Sequence, residues 1–416
     1  MINNRILLLS ILLILLQTTC LASGAELIDK GPAQSSATIE IMNVEPDGFH
    51  SKFWNGQPLH FLPDERSPLL EPKNGNARNI YAPSAVNIGP KKWMLFYGGW
   101  DGTTTGNDRI YGCTTTEFLQ FGPRRTVVGH GVFQHVCNVN AFKTTANTYQ
   151  LTCTAYPDIN GCNKPAVFNL AHPLSGIEPE ASASDILKIK DYPDYEHADI
   201  NGMSVQLVDD AQTLLYFCDF HKPGHVYLAE GKSVSGLHYL GIADDCSQFV
   251  NDVKIIRDSN GIKNYLMTLH QNTDRVWYSL SNNAKRVPTP CVLFNHLGRA
   301  DKYMVATGWV MDQPRGGAWG RVLGILYGAG ANPGLAQNRI FARWLQKRLC
   351  FTDENGATFE ARHARGPGMQ VITLPPALPN GKAVHLRVTV FAEDGRTTQS
   401  SGQVQVRAGR RYGLSE

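Results

Sequence analysis

Acidic and amide side chains interrupt several strand-like apolar runs, and these are the residues that could move protons. In the run FVNDVKIIRD, Asn251 and Asp252 lie side by side between apolar residues. Adjacent strand residues point to opposite faces, so only one of the two can face a cavity. Asp252 is the stronger candidate for a catalytic acid, and its structural alternative is pairing with an Arg or Lys of a neighbouring sheet. Asp101, in GGWDG, could act as a base or could equally be a turn residue that binds local N–H groups.

A further group of candidates lies in the segment DYEHADIN. Glu196 could donate a proton if burial raised its pKa, and His197 could do so near neutral pH. For Glu196 the alternative is an exposed acidic loop. Asp199 lies two residues before Asn201 and therefore shares its face of the strand. We accordingly predict that Asp199 points inward.

Amide and aromatic side chains could hold a ligand without moving protons. Amides that open strand-like runs offer both a donor and an acceptor, and indole rings near such openings offer flat apolar platforms. His270 follows a strand, at a level where side chains can reach the mouth of a cavity. Six residues are predicted to bind substrate: Trp100, Asn138, Asn201, Asn251, His270 and Trp309.

The elements that must position these residues repeat five times. The blocks open at YAPSAVNI, HVCNVNAF, DINGMSVQLV, FVNDVKIIRD and YMVATGWVMD, and each continues with two more strand-like runs and a weaker fourth. Four-stranded sheets stacked around an axis cover one another's faces. The repeat therefore predicts an all-β fold, a five-bladed β-propeller whose first strands line a ligand-binding channel. We interpret Asp108 and Arg109, at the start of a later strand of block one, as a brace of that blade.

The propeller is predicted over residues 79–351, after an N-terminal approach segment over residues 25–78. Residues 352–416 contain three alternating apolar runs separated by the turn signals PNGK and EDGR, which predict a small β appendage.

The first 24 residues combine Arg5, an apolar core from Ile6 to Leu16 and small residues at Ala22 and Gly24, which is typical of a secretory signal peptide. No other run is long enough to span a bilayer. We therefore expect a secreted or periplasmic protein without a membrane span. Eight cysteines follow the signal, and export would permit disulfides, although several lie in strand-like runs where a buried thiol is the alternative.

Charge and motifs exclude several classes of function. Lys and Arg number 39 against 36 Asp and Glu, a net charge of +3, so we expect no nucleic-acid partner. The chain has no GxSxG elbow, Walker loop or dinucleotide fingerprint. It has no CxxC or HxH pair either, and its one HxxxH spacing joins His221 and His225. We predict no metal site and no required cofactor, with a calcium ion in the channel as an alternative.

The segments YAPSAV, WMLFYGGWDG, NDRIYGCTT and RWLQKR, with the repeated block openings, carry a resemblance. Over about Asn79 to Phe351 the chain resembles the five-bladed propeller glycosidases of glycoside hydrolase families 43, 32 and 62. The resemblance implies an exported carbohydrate-active protein. In family 43 a catalytic Asp precedes a Pro at the start of blade one, and the matching residue here is Ala82. The chain therefore resembles a divergent member that lacks the usual acid of the first blade.

The resemblance implies two more acids at later blade openings. The second position is occupied by Asn138 or Asn201, and the third by Asn251 followed by Asp252.

The leading hypothesis is an exported glycoside hydrolase that acts on a poly- or oligosaccharide at the axial cavity, by direct displacement with water. Asp252 and Asp101 would be its key acids, with Glu196 or Asp199 as a third. The alternative is a non-catalytic carbohydrate-binding propeller, because amides hold sugar hydroxyls but do not relay protons. A third alternative, a lyase or a phosphorylase, would need a basic cluster near the channel mouth. The oligomeric state stays open.

Overall fold

The computed structural model describes residues 25–415 apart from 47–53, 55–58, 74–79, 101–105, 145–147, 159, 172–177, 210, 259, 313–319, 334–336, 375–382 and 392–397. The predicted signal peptide lies outside the described residues and stays a prediction. The chain divides into two compact units. The first, which we call the cavity unit, comprises Val44–Lys347 and Arg362–Val371; the second, the terminal unit, comprises the described residues of Met1–Asn43, Arg348–Ala361 and Ile372–Glu416.

The described residues are dominated by β-strands, which confirms the predicted all-β class. Three short 3₁₀ helices accompany the strands: Ala183–Asp185, Tyr195–His197 and Val234–Gly236. The strands up to the middle of the chain are β1 (Leu27–Pro32), β2 (Thr38–Met42), β3 (Phe61–Pro63), β4 (Ile80–Gly89), β5 (Lys92–Gly99), β6 (Arg109–Thr116), β7 (Gln120–Phe121), β8 (Arg125–Val128), β9 (His135–Lys143), β10 (Tyr149–Tyr156), β11 (Lys164–Leu170), β12 (Ile200–Asp209), β13 (Gln212–Asp219), β14 (Val226–Gly231) and β15 (His238–Asp244).

The remaining strands are β16 (Phe249–Arg257), β17 (Lys263–His270), β18 (Arg275–Ser281), β19 (Cys291–Asn295), β20 (Tyr303–Met311), β21 (Val322–Gly330), β22 (Arg339–Leu345), β23 (Arg348–Thr352), β24 (Thr358–Glu360), β25 (His363–Ala364), β26 (Met369–Thr373), β27 (Ala383–Phe391), β28 (Thr398–Arg407) and β29 (Arg410–Leu414). In the terminal unit β29 pairs antiparallel with β1 and parallel with β2, while β24, β23, β27 and β28 form a second sheet in that order. The three tail runs expected from the sequence are β26, β27 and β28.

The described part of the cavity unit contains five sheets that follow the five sequence blocks. They are β4-β5-β6-β7 with β8 beside β6, β9-β10-β11, β12-β13-β14-β15, β16-β17-β18-β19 and β20-β21-β22-β3. The last sheet takes its outer strand from the N-terminal approach segment, because β3 pairs antiparallel with β22. The Trp344 indole donates to Asp64 Oδ2 at 2.7 Å just beyond this pairing. The cavity unit thus begins earlier in the chain than the predicted propeller.

The first strands of the five sheets, called the inner strands, are β4, β9, β12, β16 and β20. They contact one another in this order, and β20 also contacts β4. Each inner strand departs from regular pairing at or beside one of five residues: Ala82, Asn138, Gly202, Asn251 and Ala306. Four of the five have positive φ, at 51°, 52°, 59° and 40° for Ala82, Asn138, Gly202 and Ala306. Such bulges bend a strand and redirect its side chains.

Beyond the bulges, the inner strands are joined by hydrogen bonds from side chain to backbone. In each, a side-chain oxygen of one inner strand accepts the backbone N–H of the next: Ser84 Oγ from Ala141 (3.0 Å), Asn140 Oδ1 from Val205 (3.0 Å), Ser204 Oγ from Val253 (2.9 Å) and Asp252 Oδ2 from Trp309 (2.8 Å). Where β20 meets β4, a Cβ at Gly308 would lie 2.2 Å from the Pro83 carbonyl oxygen. That junction therefore admits only glycine.

Asp252 accepts one of these hydrogen bonds, and its side chain does not face the cavity described below. Its side chain is buried, Oδ1 accepts from Asn140 Nδ2 at 3.0 Å, and Lys254 Nζ lies 2.9 Å from the same oxygen. The prediction that Asp252 would face the ligand is therefore corrected. Asp252 has a structural role, but its lysine partner, Lys254, lies on the same strand and not on a neighbouring sheet as the alternative expected. The bulge turns the adjacent Asn251 toward the cavity.

Replacing Asp252 with Ala should destabilise the cavity unit strongly. The change leaves the Lys254 ammonium and the Trp309 N–H buried without their acceptor, and breaking such a pair costs about 3–5 kcal/mol of unfolding free energy. Urea unfolding followed by tryptophan fluorescence measures the loss. The matched control is Glu196→Ala, whose exposed carboxylate should change the unfolding free energy by less than about 0.5 kcal/mol. Equal stability of Asp252→Ala and the wild type would remove this role.

Candidate functional site

A cavity of about 570 Å³ opens where the bulged ends of the inner strands meet. Every inner strand contributes to its lining, through residues that include Tyr81, Asn138, Asn201, Asn251 and Ala306. Four aromatic side chains, Trp100, Tyr156, Phe220 and Phe249, form much of the remaining wall. A volume of this size accommodates a small ligand, and flat apolar walls with a few polar groups are typical of binding sites.

Asp108 is the carboxylate that lines this cavity among the described residues. It immediately precedes β6, and only 7% of the residue is exposed. The Tyr81 hydroxyl donates to Asp108 Oδ2 at 2.8 Å, whereas Oδ1 is buried without a hydrogen-bond partner. Burial raises the pKa of Asp108 to about 7, against the opposing effects of the Tyr81 hydroxyl and the Trp100 indole. Near neutral pH this carboxyl therefore carries a proton in a large share of the molecules, and Oδ1 is the free position for it.

His135 lies beside Asp108 with its tautomer fixed. The backbone N–H of Asp108 donates to His135 Nδ1 at 3.0 Å. Since that nitrogen must accept, the proton of the neutral ring resides on Nε2. The pKa of His135 is lowered, chiefly by burial. The ring stacks on Trp100 at 6.5 Å and 8° between planes, so His135 presents one N–H donor from a rigid position.

Two amides are oriented by hydrogen bonds that leave part of each free. Asn201 Oδ1 accepts from Asn138 Nδ2 at 2.5 Å, from Thr154 Oγ1 at 3.0 Å and from the Gly202 N–H at 2.8 Å. Asn138 Oδ1 and Asn201 Nδ2 make no hydrogen bond within the described residues. An acceptor and a donor are thus held side by side, a pair that suits neighbouring hydroxyl groups.

Asn251 is fixed in a different way, by the strand that follows it around the ring. Its Oδ1 accepts from the Thr307 backbone at 3.0 Å and from the Thr307 hydroxyl at 3.1 Å. The side chain therefore lines the cavity while it also ties β16 to β20.

His270 is the second polar side chain of the cavity that is nine-tenths buried. It ends β17, is 9% exposed, and its Nδ1 has no hydrogen-bond partner. Burial lowers the pKa of His270 to about 4, against the opposing effects of the Phe249 backbone and the Asn272 side chain. The imidazole is therefore neutral above that pH and keeps an unused nitrogen.

Five of the six predicted substrate-binding residues line this cavity: Trp100, Asn138, Asn201, Asn251 and His270. Trp309 does not. It is fully buried and packs on Trp54 at 6.1 Å and on Phe61 at 6.4 Å in the hydrophobic core, so its assignment as a sugar platform is corrected. The register of β20 beyond its bulge places this indole in the space between sheets.

Glu196 and Asp199 are not in the cavity lining, and Asp101 lies outside the described residues. The Glu196 side chain is 64% exposed on a 3₁₀ turn, 3.9 Å from Lys188 Nζ, which matches the exposed-loop alternative. Asp199 Oδ1 accepts the Asn163 N–H at 2.9 Å, and its own N–H donates to Asp219. Asp199 therefore ties the start of β12 to its neighbours, and its inward orientation is corrected.

Asp108, the acid that does line the cavity, was predicted to brace a blade and not to contact a ligand. Tyr81 and His135 were not among the predicted site residues. A usable signal was present: Tyr81 and His135 lie near the start of inner strands, at the end where each strand opens onto the channel. When the five sequence blocks are aligned at the first residues of their inner strands, Tyr81 and His135 both fall at the end that opens onto the channel.

Cations and thiols contribute little to this site. Among the described lining residues there is neither Lys nor Arg, so the basic cluster that a phosphorylase would need is not found there. No group of three or more His, Cys, Asp or Glu side chains within the described ranges is placed to hold a metal. The eight described cysteines are free, and burial raises the pKa of the lining thiol of Cys137 to about 12. The calcium alternative stays a prediction.

A search for membrane-spanning segments found no helix of sufficient length and apolarity among the described residues.

Similar folds occur in solved glycosidase structures. A protein of Bacteroides thetaiotaomicron VPI-5482 assigned as a glycosidase matches with a TM-score of 0.50 and 12% identity, over 72% of this chain and 99% of its own. A glycosyl hydrolase from Bacteroides ovatus matches with a TM-score of 0.51 and 10% identity, over 73% of this chain and 96% of its own. A thermostable family-43 glycoside hydrolase matches with a TM-score of 0.47 and 11% identity, over 73% and 96%.

No family model and no curated protein matches the sequence. At these identities the structural likeness shows the fold alone. It confirms, at that level, the resemblance to the propeller glycosidases inferred from the sequence motifs.

Replacing Tyr81 with Phe should raise the pKa of Asp108 above its value of about 7. The hydroxyl stabilises the charged carboxylate through its bond to Oδ2, and the variant removes that donor. Carboxyl carbon-13 chemical shifts followed from pH 5 to 9 would measure the change without any substrate. Tyr156→Phe is the matched control, because it removes a hydroxyl from the same cavity without touching Asp108. A lowered or unchanged Asp108 pKa in Tyr81→Phe would contradict the assigned interaction.

Proposed function

We propose that the protein is an exported glycoside hydrolase that acts on a poly- or oligosaccharide at the axial cavity of a five-bladed propeller, with Asp108 as the general acid. The observation that carries the proposal is the buried carboxyl Oδ1 of Asp108, which lacks a partner in a cavity of sugar size. Cleavage of a glycosidic bond needs a proton on the leaving oxygen, and an acid with a pKa near the working pH donates it best.

The arrangement around Asp108 suits this step. A proton on Oδ1 can pass to the glycosidic oxygen as the bond between that oxygen and the anomeric carbon breaks. The Tyr81 hydroxyl remains on Oδ2 and stabilises the carboxylate that forms. The His135 Nε2–H provides a second donor from a fixed ring, and it stays neutral because burial lowers the pKa of His135.

The remaining lining suits a neutral sugar ring. The free Asn138 oxygen and the free Asn201 amide nitrogen can accept from and donate to neighbouring hydroxyls. Trp100 and Tyr156 offer aromatic surface for the apolar face of the ring. The five sheets, with inner strands that contact in order and β20 against β4, support the five-bladed propeller. Export rests on the N-terminal sequence pattern alone.

One observation favours the alternative of a carbohydrate-binding protein without catalysis. Asp108 is the single carboxylate in the described lining, whereas glycosidases normally place two across the scissile bond. The binding alternative predicts a sugar-dependent rise in melting temperature without product release.

Asp108→Asn should lower kcat for aryl glycosides with poor leaving groups by about 10²–10⁴-fold, because the amide has no proton to give. Substrates with a dinitrophenolate leaving group should lose far less, since that group departs without protonation. The measurement compares phenyl and dinitrophenyl glycosides across a panel of sugars, with melting curves for folding. Asp199→Asn, which changes a carboxylate outside the cavity lining, is the matched control. Equal rates for Asp108→Asn and the wild type would overturn the proposal, and binding without product would favour the alternative.

The dependence of kcat/KM on pH should reflect the ionisation of Asp108. Asp108 must be protonated to act, and its pKa is raised to about 7, so kcat/KM should be highest below that pH and fall as the pH rises through it. Initial rates at low substrate concentration from pH 5 to 9 measure this fall in kcat/KM, the basic limb of the profile. In Tyr81→Phe the limb should move to higher pH. A profile that rises through pH 7 would exclude Asp108 as the acid.

A further inference from the structure

We propose that His270 is the general base of the same reaction, and that it removes a proton from the water that attacks the anomeric carbon. The inference rests on the proposed function and names the catalytic partner of Asp108. Asp108 is the single carboxylate in the described lining, and in this proposal a neutral imidazole takes the place of the second carboxylate that glycosidases normally use.

The fold brings His270 and Asp108 to the cavity from different sheets. His270 ends the second strand of the fourth sheet, and Asp108 precedes the third strand of the first sheet. Around the ring of inner strands, β20 lies between β16 and β4 on one side, and β9 and β12 lie between them on the other. Asp108 and His270 therefore reach the cavity from sheets that are not neighbours, as an acid and a base acting on opposite sides of a ligand would.

The hydrogen bonding and the protonation state of His270 suit a general base. His270 lines the cavity, and its buried Nδ1 has no hydrogen-bond partner, which leaves this nitrogen free to accept a proton. Burial lowers the pKa of the ring to about 4, which keeps it neutral between that pH and the pKa of Asp108 near 7, where Asp108 is still protonated. That value is close to the usual pKa of a carboxylate, so the imidazole matches in basicity the group that ordinarily does this work.

The other titratable groups near His270 do not compete for the role. Of those in the cavity lining, Asp108 is the proposed acid, His135 accepts the Asp108 N–H at Nδ1, and burial raises the pKa values of Tyr81 and Cys137.

The charged groups on the elements around His270 are paired with other partners. On β16, Asp252 is paired with Lys254. After β17, Asp274 and Arg275 pair with each other at 2.9 Å. On β13, Asp219 accepts the Tyr192 hydroxyl at 2.9 Å.

The step balances without a further reactant. Water gives one proton to His270 Nδ1 while its oxygen forms a bond to the anomeric carbon. The bond from that carbon to the glycosidic oxygen breaks, and the leaving oxygen takes the proton of Asp108. His270 then loses its proton to solvent and Asp108 regains one. Because water attacks opposite the leaving group in a single displacement, the product has inverted configuration.

His270→Gln should lower kcat by about 10²–10⁴-fold while KM changes little, because glutamine can still bind water but cannot hold its proton. Wild-type kcat/KM should rise through an ionisation near pH 4, and this acidic limb should be absent from the variant. In His270→Ala, azide should restore turnover and give a glycosyl azide of inverted configuration, since azide needs no base. His197→Gln is the matched control: it changes an exposed histidine outside the described cavity lining, and it should keep the acidic limb and gain nothing from azide.

The outcomes separate this inference from the function on which it rests. If the wild type hydrolyses glycosides and Asp108→Asn does not, while His270→Gln keeps the wild-type kcat and the acidic limb, the role of His270 is overturned and the function stands. If the wild type hydrolyses nothing in the panel, both fail. Should His270→Gln melt before assay, the inference is judged on the wild type: lack of a limb near pH 4, or retention of configuration, overturns it.

Discussion

The cavity unit depends on the hydrogen bonds that join neighbouring inner strands at four of their five junctions. An unpaired polar group in such a buried position would cost about 1–3 kcal/mol, so every side-chain oxygen there must find a donor. The backbone N–H groups of Ala141, Val205, Val253 and Trp309 provide those donors. The same bonds set the spacing of the inner strands, and this spacing determines which side chains meet at the open end.

The polar side chains of the inner strands and those at the cavity end differ in their hydrogen bonding. Both oxygens of Asp252 are engaged, and so is Asn251 Oδ1. At the cavity end, Asp108 Oδ1 and His270 Nδ1 are equally buried yet unpaired. A bound ligand or water can complete such atoms, and both belong to residues that line the cavity.

The repeat and the all-β class could be predicted from the sequence, because strand patterns and turns are local. The amides at the bulges could also be predicted, since they interrupt apolar runs. The choice between Asn251 and Asp252 could not, because alternation states only that one of them faces inward, and a bulge of one residue decides which. Asp108 was misread because its pKa is a property of the burial produced by distant parts of the chain, including Tyr81.

The pairing of β3 with β22 has a consequence for how the chain folds. The bond from Trp344 to Asp64 joins residues 280 positions apart, so the final sheet is completed by a strand that is synthesised long before its partner. Closing so long a loop is entropically costly and slow, and it must wait until most of the molecule has been made. Until β3 pairs, the edge of β22 stays uncovered. The last sheet therefore gains its full cooperativity only when β3, from the early part of the chain, joins β22.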